Sequence, residues 1–186
     1  YALAWRESRV TPPRYAALPI FACGVAMIAA MGAMYPVSAI DLFIYAVRSR
    51  LFTAYGADPI AVPPNAYPDD PLIRFASPEW ADDVSPYGPL WNLVAAPATW
   101  LADDRIGVAL AAFKILAGLS LILGAWLIYR IVAIDRPDDA ATAALVYLWN
   151  PLVLWEGVGN GHNDVVLVVP VLLALLAWAR RRDRRV

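Results

Sequence analysis

Apolar residues fall in a few long blocks, and the polar ones gather between them. Tyr15 to Ile40 contains no charge, and about 20 apolar residues suffice to cross a bilayer core. This block predicts a transmembrane helix over 15–40. A second block predicts another over 106–134, with Lys114 and Arg130 towards its ends. A third covers 140–158 and contains Trp149, Asn150 and Pro151. A fourth, 162–179, reaches spanning length only if the polar residues before Val165 begin the helix. Leu90 to Leu101 is shorter and broken by Pro97, so 90–102 reads as a re-entrant segment or a short interfacial helix. The intervening 41–89 is a long polar loop, and loops of that length are usually functional. Its eight prolines, from Pro59 to Pro89, forbid a long helix. Asp41 to Tyr55 has neither proline nor glycine and predicts a short helix lying along the membrane surface. Leu42, Phe43, Tyr45, Leu51 and Phe52 would face lipid or protein, with Arg48 and Arg50 near headgroup level.

The fold class this implies is an all-α polytopic membrane protein. It has about four transmembrane helices, a re-entrant or interfacial segment and a long extracytoplasmic loop, within a single transmembrane domain over 1–186. Composition agrees: 61% of the 186 residues are hydrophobic and 17% charged, against about 45–50% and about 25% in soluble domains. Arg6, Arg9 and Arg14 precede the first helix, and Arg180, Arg181, Arg182, Arg184 and Arg185 form a basic tail over 180–186. The positive-inside rule places both ends in the cytoplasm, which needs an even number of crossings. The loop after Ile40, with seven acids against three arginines up to Ser85, then lies outside, as does Gly157 to Asp164. A net charge of -1 and the lack of a basic stripe exclude a nucleic-acid binder. One histidine and one cysteine exclude a multi-histidine metal cage or an internal disulfide supplied by this chain. No metal ligand set is assigned, although a divalent ion beside Asp41 is left open. The arginine- and alanine-rich composition fits a bacterial inner membrane. The chain opens on Tyr1 rather than methionine, which suggests a fragment or a processed chain.

Two clusters hold candidate chemistry. Asp41 sits at the outer mouth of the first helix, where partial desolvation suits a general base; the plain alternative is a helix cap by Ser38 or Asp41. Gly157 to Asp164 sets glycines, His162, Asn163 and Asp164 between two apolar helices, and polar clusters at membrane depth are usually functional. Here the plain alternative is a glycine-rich turn with Asn163 or Asp164 capping the next helix. Glu156, one turn back, would face the same cavity. Arg48, Arg50 and Arg74 suit a lipid-linked phosphate, or equally serve as headgroup anchors or ion-pair with the loop acids.

Asp41-Leu-Phe-Ile-Tyr45 with Ser49-Arg50, then Gly56-Ala-Asp-Pro59, Ser85-Pro-Tyr87-Gly88-Pro89-Leu90, Asn150-Pro151-Leu152 and Gly161-His162-Asn163-Asp164 follow one another in a recognisable order. Each is weak alone; the ordered set resembles the polytopic GT-C glycosyltransferases, especially bacterial mannosyltransferases that use polyprenyl-phosphate sugars. The resemblance covers about residues 38 to 175. It implies an inverting sugar transfer, of mannose in these relatives, from a polyprenyl phosphate donor to an acceptor at the outer face. It also implies Asp41 as catalytic base, Arg50 near the donor phosphate, and Tyr45, Tyr87, His162, Asn163 and Asp164 in the donor- or acceptor-binding site. Ser49 and Ile60 stand where the family has glycine and tyrosine, so the donor pocket would differ. Such enzymes carry roughly twice as many membrane helices, so this sequence would be the N-terminal half. The rival reading is a truncated, non-catalytic membrane subunit that packs against a larger complex through small residues such as Ala109, Ala112, Ala117 and Gly118.

Overall fold

A computed structural model of the chain describes residues 2–11 and 13–183, with the side chains of residues 9, 10, 13 and 14 left aside. The expectations for Arg9, Arg14, Arg184 and Arg185 lie outside what is described. Among the described residues the regular structure is helical and no strand occurs. The helices are α1 (Ala2–Val10), α2 (Pro13–Gly32), α3 (Asp41–Tyr55), α4 (Pro78–Ala81), α5 (Pro89–Ala102), α6 (Ile106–Asp135), α7 (Ala140–Leu148) and α8 (Asp164–Asp183). A π-helical stretch, Val153–Gly159, precedes α8, and short 3-10 turns occupy Pro64–Ala66, Ile73–Phe75 and Pro137–Asp139. The chain divides into two compact units, Pro36–Ile115 and Tyr1–Tyr35 with Leu116–Val186, the division falling inside α6.

Two stretches, Tyr15–Gly32 of α2 and Ile106–Asp135 of α6, are long and apolar enough to cross a membrane. A third is possible if the π-helical stretch and α8, bent by 113°, count as one broken span. Among the described residues the continuous helices of spanning length are thus fewer than the four apolar blocks, for two local reasons. The first apolar block stops being helical at Gly32 because Pro36 cannot donate and disfavours helical backbone before it. The third is cut at Asn150-Pro151. Asn150 Oδ1 accepts the amides of Leu152 at 3.0 Å and Val153 at 3.4 Å, with proline in the first position after it, which is how a new helix starts. What remains as α7 is nine residues, about 13 Å at about 1.5 Å per residue, against a core of about 30 Å.

In the Pro36–Ile115 unit, α3 packs on α5. Leu42, Ile44, Tyr45 and Ala46 meet Ala95, Ala98 and Ala102 of α5 and Ala109, Leu110 and Phe113 of α6. Alanines on α5 let the helices approach closely. Ser49 Oγ lies 2.8 Å from Thr99 Oγ1, and Thr53 Oγ1 lies 3.2 Å from the same atom. α3 is thus no surface helix: Leu42 and every residue from Ile44 to Leu51 are buried. Arg48 and Arg50 go in with it, because the proline-broken segment between α3 and α5 covers the side that lipid or water would have met.

The other unit is built around Ala16 and Ile20 of α2, Leu121 and Ala125 of α6, Ala141, Leu145 and Leu148 of α7, and Leu154 and Val158 of the π-helical stretch. Trp149 Nε1 donates to the carbonyl of Ile20 at 2.9 Å. Ser8 and Thr142 share a buried hydroxyl bond of 2.9 Å that ties α1 to α7.

Candidate functional site

The first cluster is built on α3. Residues four and seven apart lie on one helix face, so Asp41, Tyr45 and Arg48 form one stripe. Asp41 is the first residue of the helix. Its N-cap position is Ile40, which provides no side-chain cap, and a half-buried carboxylate in the first turn is favoured by the positive end of the helix dipole. Tyr45 is 2% exposed. Its hydroxyl lies 3.2 Å from that of Tyr87, and its ring meets Tyr87, Trp91 and Phe113 edge-on at 5.3, 5.1 and 6.2 Å. The sequence Ser85 to Trp91 is what delivers Tyr87 and Trp91. Its turn ends at Gly88, and Pro89 opens α5, proline being well suited to the first helical position.

Arg48 is 3% exposed. Its Nη2 donates to the carbonyls of Trp80 at 3.5 Å and Asp83 at 3.2 Å, and the guanidinium sits 5.9 Å from the Trp80 ring centre. Its Nε has no hydrogen-bond partner among the described residues. Burial pushes this guanidinium below its ordinary pKa, against the raising influence of Tyr87, Asp83 and Asp41.

Arg50 faces elsewhere and helps to hold the unit together. Its Nε donates to Asp70 Oδ2 at 2.6 Å, and its Nη1 donates to the Asp103 carbonyl and lies 3.6 Å from Asp103 Oδ1. Asp70 also accepts the Tyr55 hydroxyl at 2.8 Å and the Leu72 amide at 2.8 Å. Burial alone would lower the Arg50 pKa; the bond to Asp70 and the charges of Asp70 and Asp103 outweigh it and raise it. Tyr55 is raised in turn, chiefly by its bond to Asp70.

The second cluster belongs to the other unit. Past Asn150 the helix widens, so that the Asn160 amide reaches the Trp155 carbonyl five residues back at 2.8 Å, a geometry frequent at functional sites. The loop then folds back through Gly161 at φ +73°, which glycine adopts without strain, and the His162 amide meets the Glu156 carbonyl at 3.0 Å. Glu156 Oε2 accepts Asn160 Nδ2 at 2.8 Å and lies 3.5 Å from His162 Nε2. Glu156, Asn160 and His162 thus form the cluster. Asn163 is half-buried, and Asp164 is exposed in the first turn of α8. Among the described residues, no three of His, Cys, Asp and Glu gather in a metal-holding group.

Of the residues expected from the sequence, Asp41, Tyr45 and Tyr87 fall in the first cluster and Glu156 and His162 in the second, with Asn163 and Asp164 beside it, while Arg50 faces away. The pairing with Asp70 and the contrast between Arg48 and Arg50 were not expected. The helical spacing of Asp41, Tyr45 and Arg48 was the available signal for Arg48. Asp70 carried none, being one of many loop acids.

The family model described as alpha-(1->6)-mannopyranosyltransferase, N-terminal domain, matches residues 3–185. The chain is 30% identical over 146 residues to alpha-(1->6)-mannopyranosyltransferase B of Corynebacterium glutamicum, covering 77% of this chain and 24% of that protein. It is 32% identical over 135 residues to alpha-(1->6)-mannopyranosyltransferase A of Mycobacterium tuberculosis, covering 72% of this chain and 25% of that protein. The chain therefore spans about a quarter of the length of these curated relatives. No solved structure matches it. With nearly every residue inside one family model, the chain belongs to the alpha-(1->6)-mannopyranosyltransferase N-terminal domain family.

Proposed function

We propose that this chain is the N-terminal part of an integral-membrane mannosyltransferase that takes mannose from a polyprenyl-phosphate donor and passes it to an acceptor on the extracytoplasmic side of a bacterial inner membrane. The observation that carries this reading is Asp41, half-buried in the first turn of α3 and on the same helical face as Tyr45 and Arg48, in a chain of this family. Asp41 removes the proton from the acceptor hydroxyl as that oxygen attacks the anomeric carbon. The carbon–phosphate oxygen bond breaks on the opposite side, so the sugar inverts. An alpha product, the linkage in the relatives' names, then requires a beta-linked donor. Tyr87, half-buried, presents its hydroxyl to the sugar, and buried Tyr45 holds it in place through the bond between their hydroxyls. Glu156, Asn160, His162, Asn163 and Asp164 supply a second polar surface for donor or acceptor. In this reading both chain ends of this segment lie on the cytoplasmic side and Gly157 to Asp164 on the outer side, which requires α7 with the π-helical stretch, and then α8, to make two further crossings beside α2 and α6.

The test is transfer of labelled mannose from a polyprenyl-phosphate donor by the full-length protein. Asp41→Asn is expected to lower kcat about 10²–10⁴-fold, the usual worth of a general base, with thermal unfolding unchanged. Unaltered transfer by a folded Asp41→Asn protein would overturn the mechanism. Absence of transfer by the unmutated protein would return the chain to the reading of a non-catalytic membrane subunit.

A further inference from the structure

We propose, resting on the transfer reading above, that Arg48 rather than Arg50 is the cation that meets the phosphate of the departing lipid carrier. The argument is one of charge accounting along a single helix. A guanidinium carries five N–H donors in a fixed fork. Arg50 has found carboxylates for its fork, Asp70 at 2.6 Å and Asp103 at 3.6 Å. Arg48 is buried more deeply, at 3% exposure against 9%. Yet its hydrogen bonds run only from Nη2 to two backbone carbonyls, and Nε has no partner among the described residues. The carboxylates of Asp83 and Asp41 act on Arg48 through their charge, yet its hydrogen bonds go to neither of them, and a buried cation without a bonded anion is costly. The fold pairs the arginine two residues away, so the helix evidently has the means to pair this one and does not. An anion arriving from outside the fold completes the charge balance, and the donor is the anion this reaction brings.

Position supports the same assignment. Arg48 stands two helical turns from Asp41 on the shared face, about 10 Å along the axis. A base–hydroxyl hydrogen bond, an attack distance, the carbon–oxygen–phosphorus bridge and a charge-assisted bond to phosphate together reach on the order of 10 Å. The positions of Asp41 and Arg48 along the helix therefore match the length of an in-line transfer, whereas Arg50 is turned off that face. In the step, the acceptor oxygen bonds to the anomeric carbon and its proton goes to Asp41. The bond from that carbon to the phosphate oxygen breaks, and its electron pair stays on the phosphate. The carboxylate loses one negative charge and the phosphate gains one, opposite Arg48.

The experiment measures binding of a polyprenyl monophosphate, the leaving group itself, to full-length protein in detergent, alongside thermal unfolding, for Arg48→Met, Arg48→Lys and Arg50→Met. Arg48→Met is expected to weaken binding about 10- to 100-fold with an unfolding temperature equal to or above that of the unmutated protein, since an apolar residue relieves an uncompensated buried charge. Arg48→Lys is expected to recover part of the binding, and Arg50→Met to lower the unfolding temperature instead. A folded Arg48→Met protein that binds the monophosphate normally overturns the assignment, as does one destabilised as much as Arg50→Met. Inorganic phosphate and a nucleoside diphosphate are run beside the lipid. Arg48-dependent binding of the nucleotide in preference to the lipid overturns the lipid source. Loss of transfer in Asp41→Asn with normal monophosphate binding in Arg48→Met defeats this inference alone. A protein that neither transfers from the lipid donor nor binds the lipid defeats the transfer reading.

Discussion

Asp41, Tyr45 and Arg48 stand on an unbroken helix packed along most of its length, whereas Glu156, Asn160 and His162 gather where a helix is interrupted. In the first case orientation comes from packing: α3 is held against α5 and α6 by a continuous core, and each side chain inherits its direction from the helical repeat. In the second it comes from local bonds, a widened turn and one glycine in left-handed backbone. Reaction chemistry that tolerates little displacement suits the first kind of support. A surface that must adapt to a ligand suits the second.

That contrast is broken most directly by activity. In the full-length protein Asp41→Asn is expected to cost about 10²–10⁴-fold in turnover, and Asp164→Asn, exposed at the start of α8, less than about tenfold (about 1.4 kcal/mol). Comparable losses at both positions would mean that the two clusters share the chemistry. Next in size is the removal of a charge partner. Asp70→Ala leaves buried Arg50 with Asp103 alone and is expected to destabilise by about 1–3 kcal/mol, read by thermal or denaturant unfolding. Glu156→Gln, at a contact where the Glu156 and His162 side chains are 42% and 29% exposed, is expected to cost under about 1 kcal/mol. Gly157→Ala places a Cβ 2.5 Å from Val165 Cγ1, an overpacking worth about 1–3 kcal/mol. Gly56→Ala at the end of α3 meets no atom within 4 Å and costs only the strain of φ +64°, about 1 kcal/mol. The smallest effect sharpens the contrast at high pH. Tyr55 is raised above its ordinary 10.0 by its bond to Asp70, so the fold favours the neutral phenol. Its contribution is complete below pH 10 and fades as pH rises through the elevated folded value. Tyr55→Phe is expected to remove that alkaline decline in stability.

Helical character was legible from composition, and the stretch without proline or glycine from Asp41 to Tyr55 marked α3 to the residue. The breaks inside the apolar blocks were not legible, because hydropathy averages over a block while Asn150-Pro151 acts on a single turn. Asparagine before proline reads as a kink when the flanks are apolar. It becomes a stop and a fresh start only when the asparagine oxygen turns to accept the following amides. The fate of the two arginines was hidden for another reason. Which one finds a carboxylate depends on Asp70, twenty residues beyond Arg50, and no local pattern separates that aspartate from its neighbour Asp69. Tyr45 and Tyr87 were legible as motif members, but their hydroxyl contact and the Trp91 and Phe113 rings around them come from tertiary packing.

Ser49, Thr53 and Thr99 join hydroxyl to hydroxyl between α3 and α5, and these bonds work as a spline. One residue's slip would rotate α3 by about 100° and pull both serine and threonine off their partner in a place water does not reach. Such a slip would also carry Arg50 away from Asp70 and Tyr45 away from Tyr87. The three small side chains spend their hydroxyls on one another, and so decide which flank of the helix is offered to chemistry and which is spent on scaffolding.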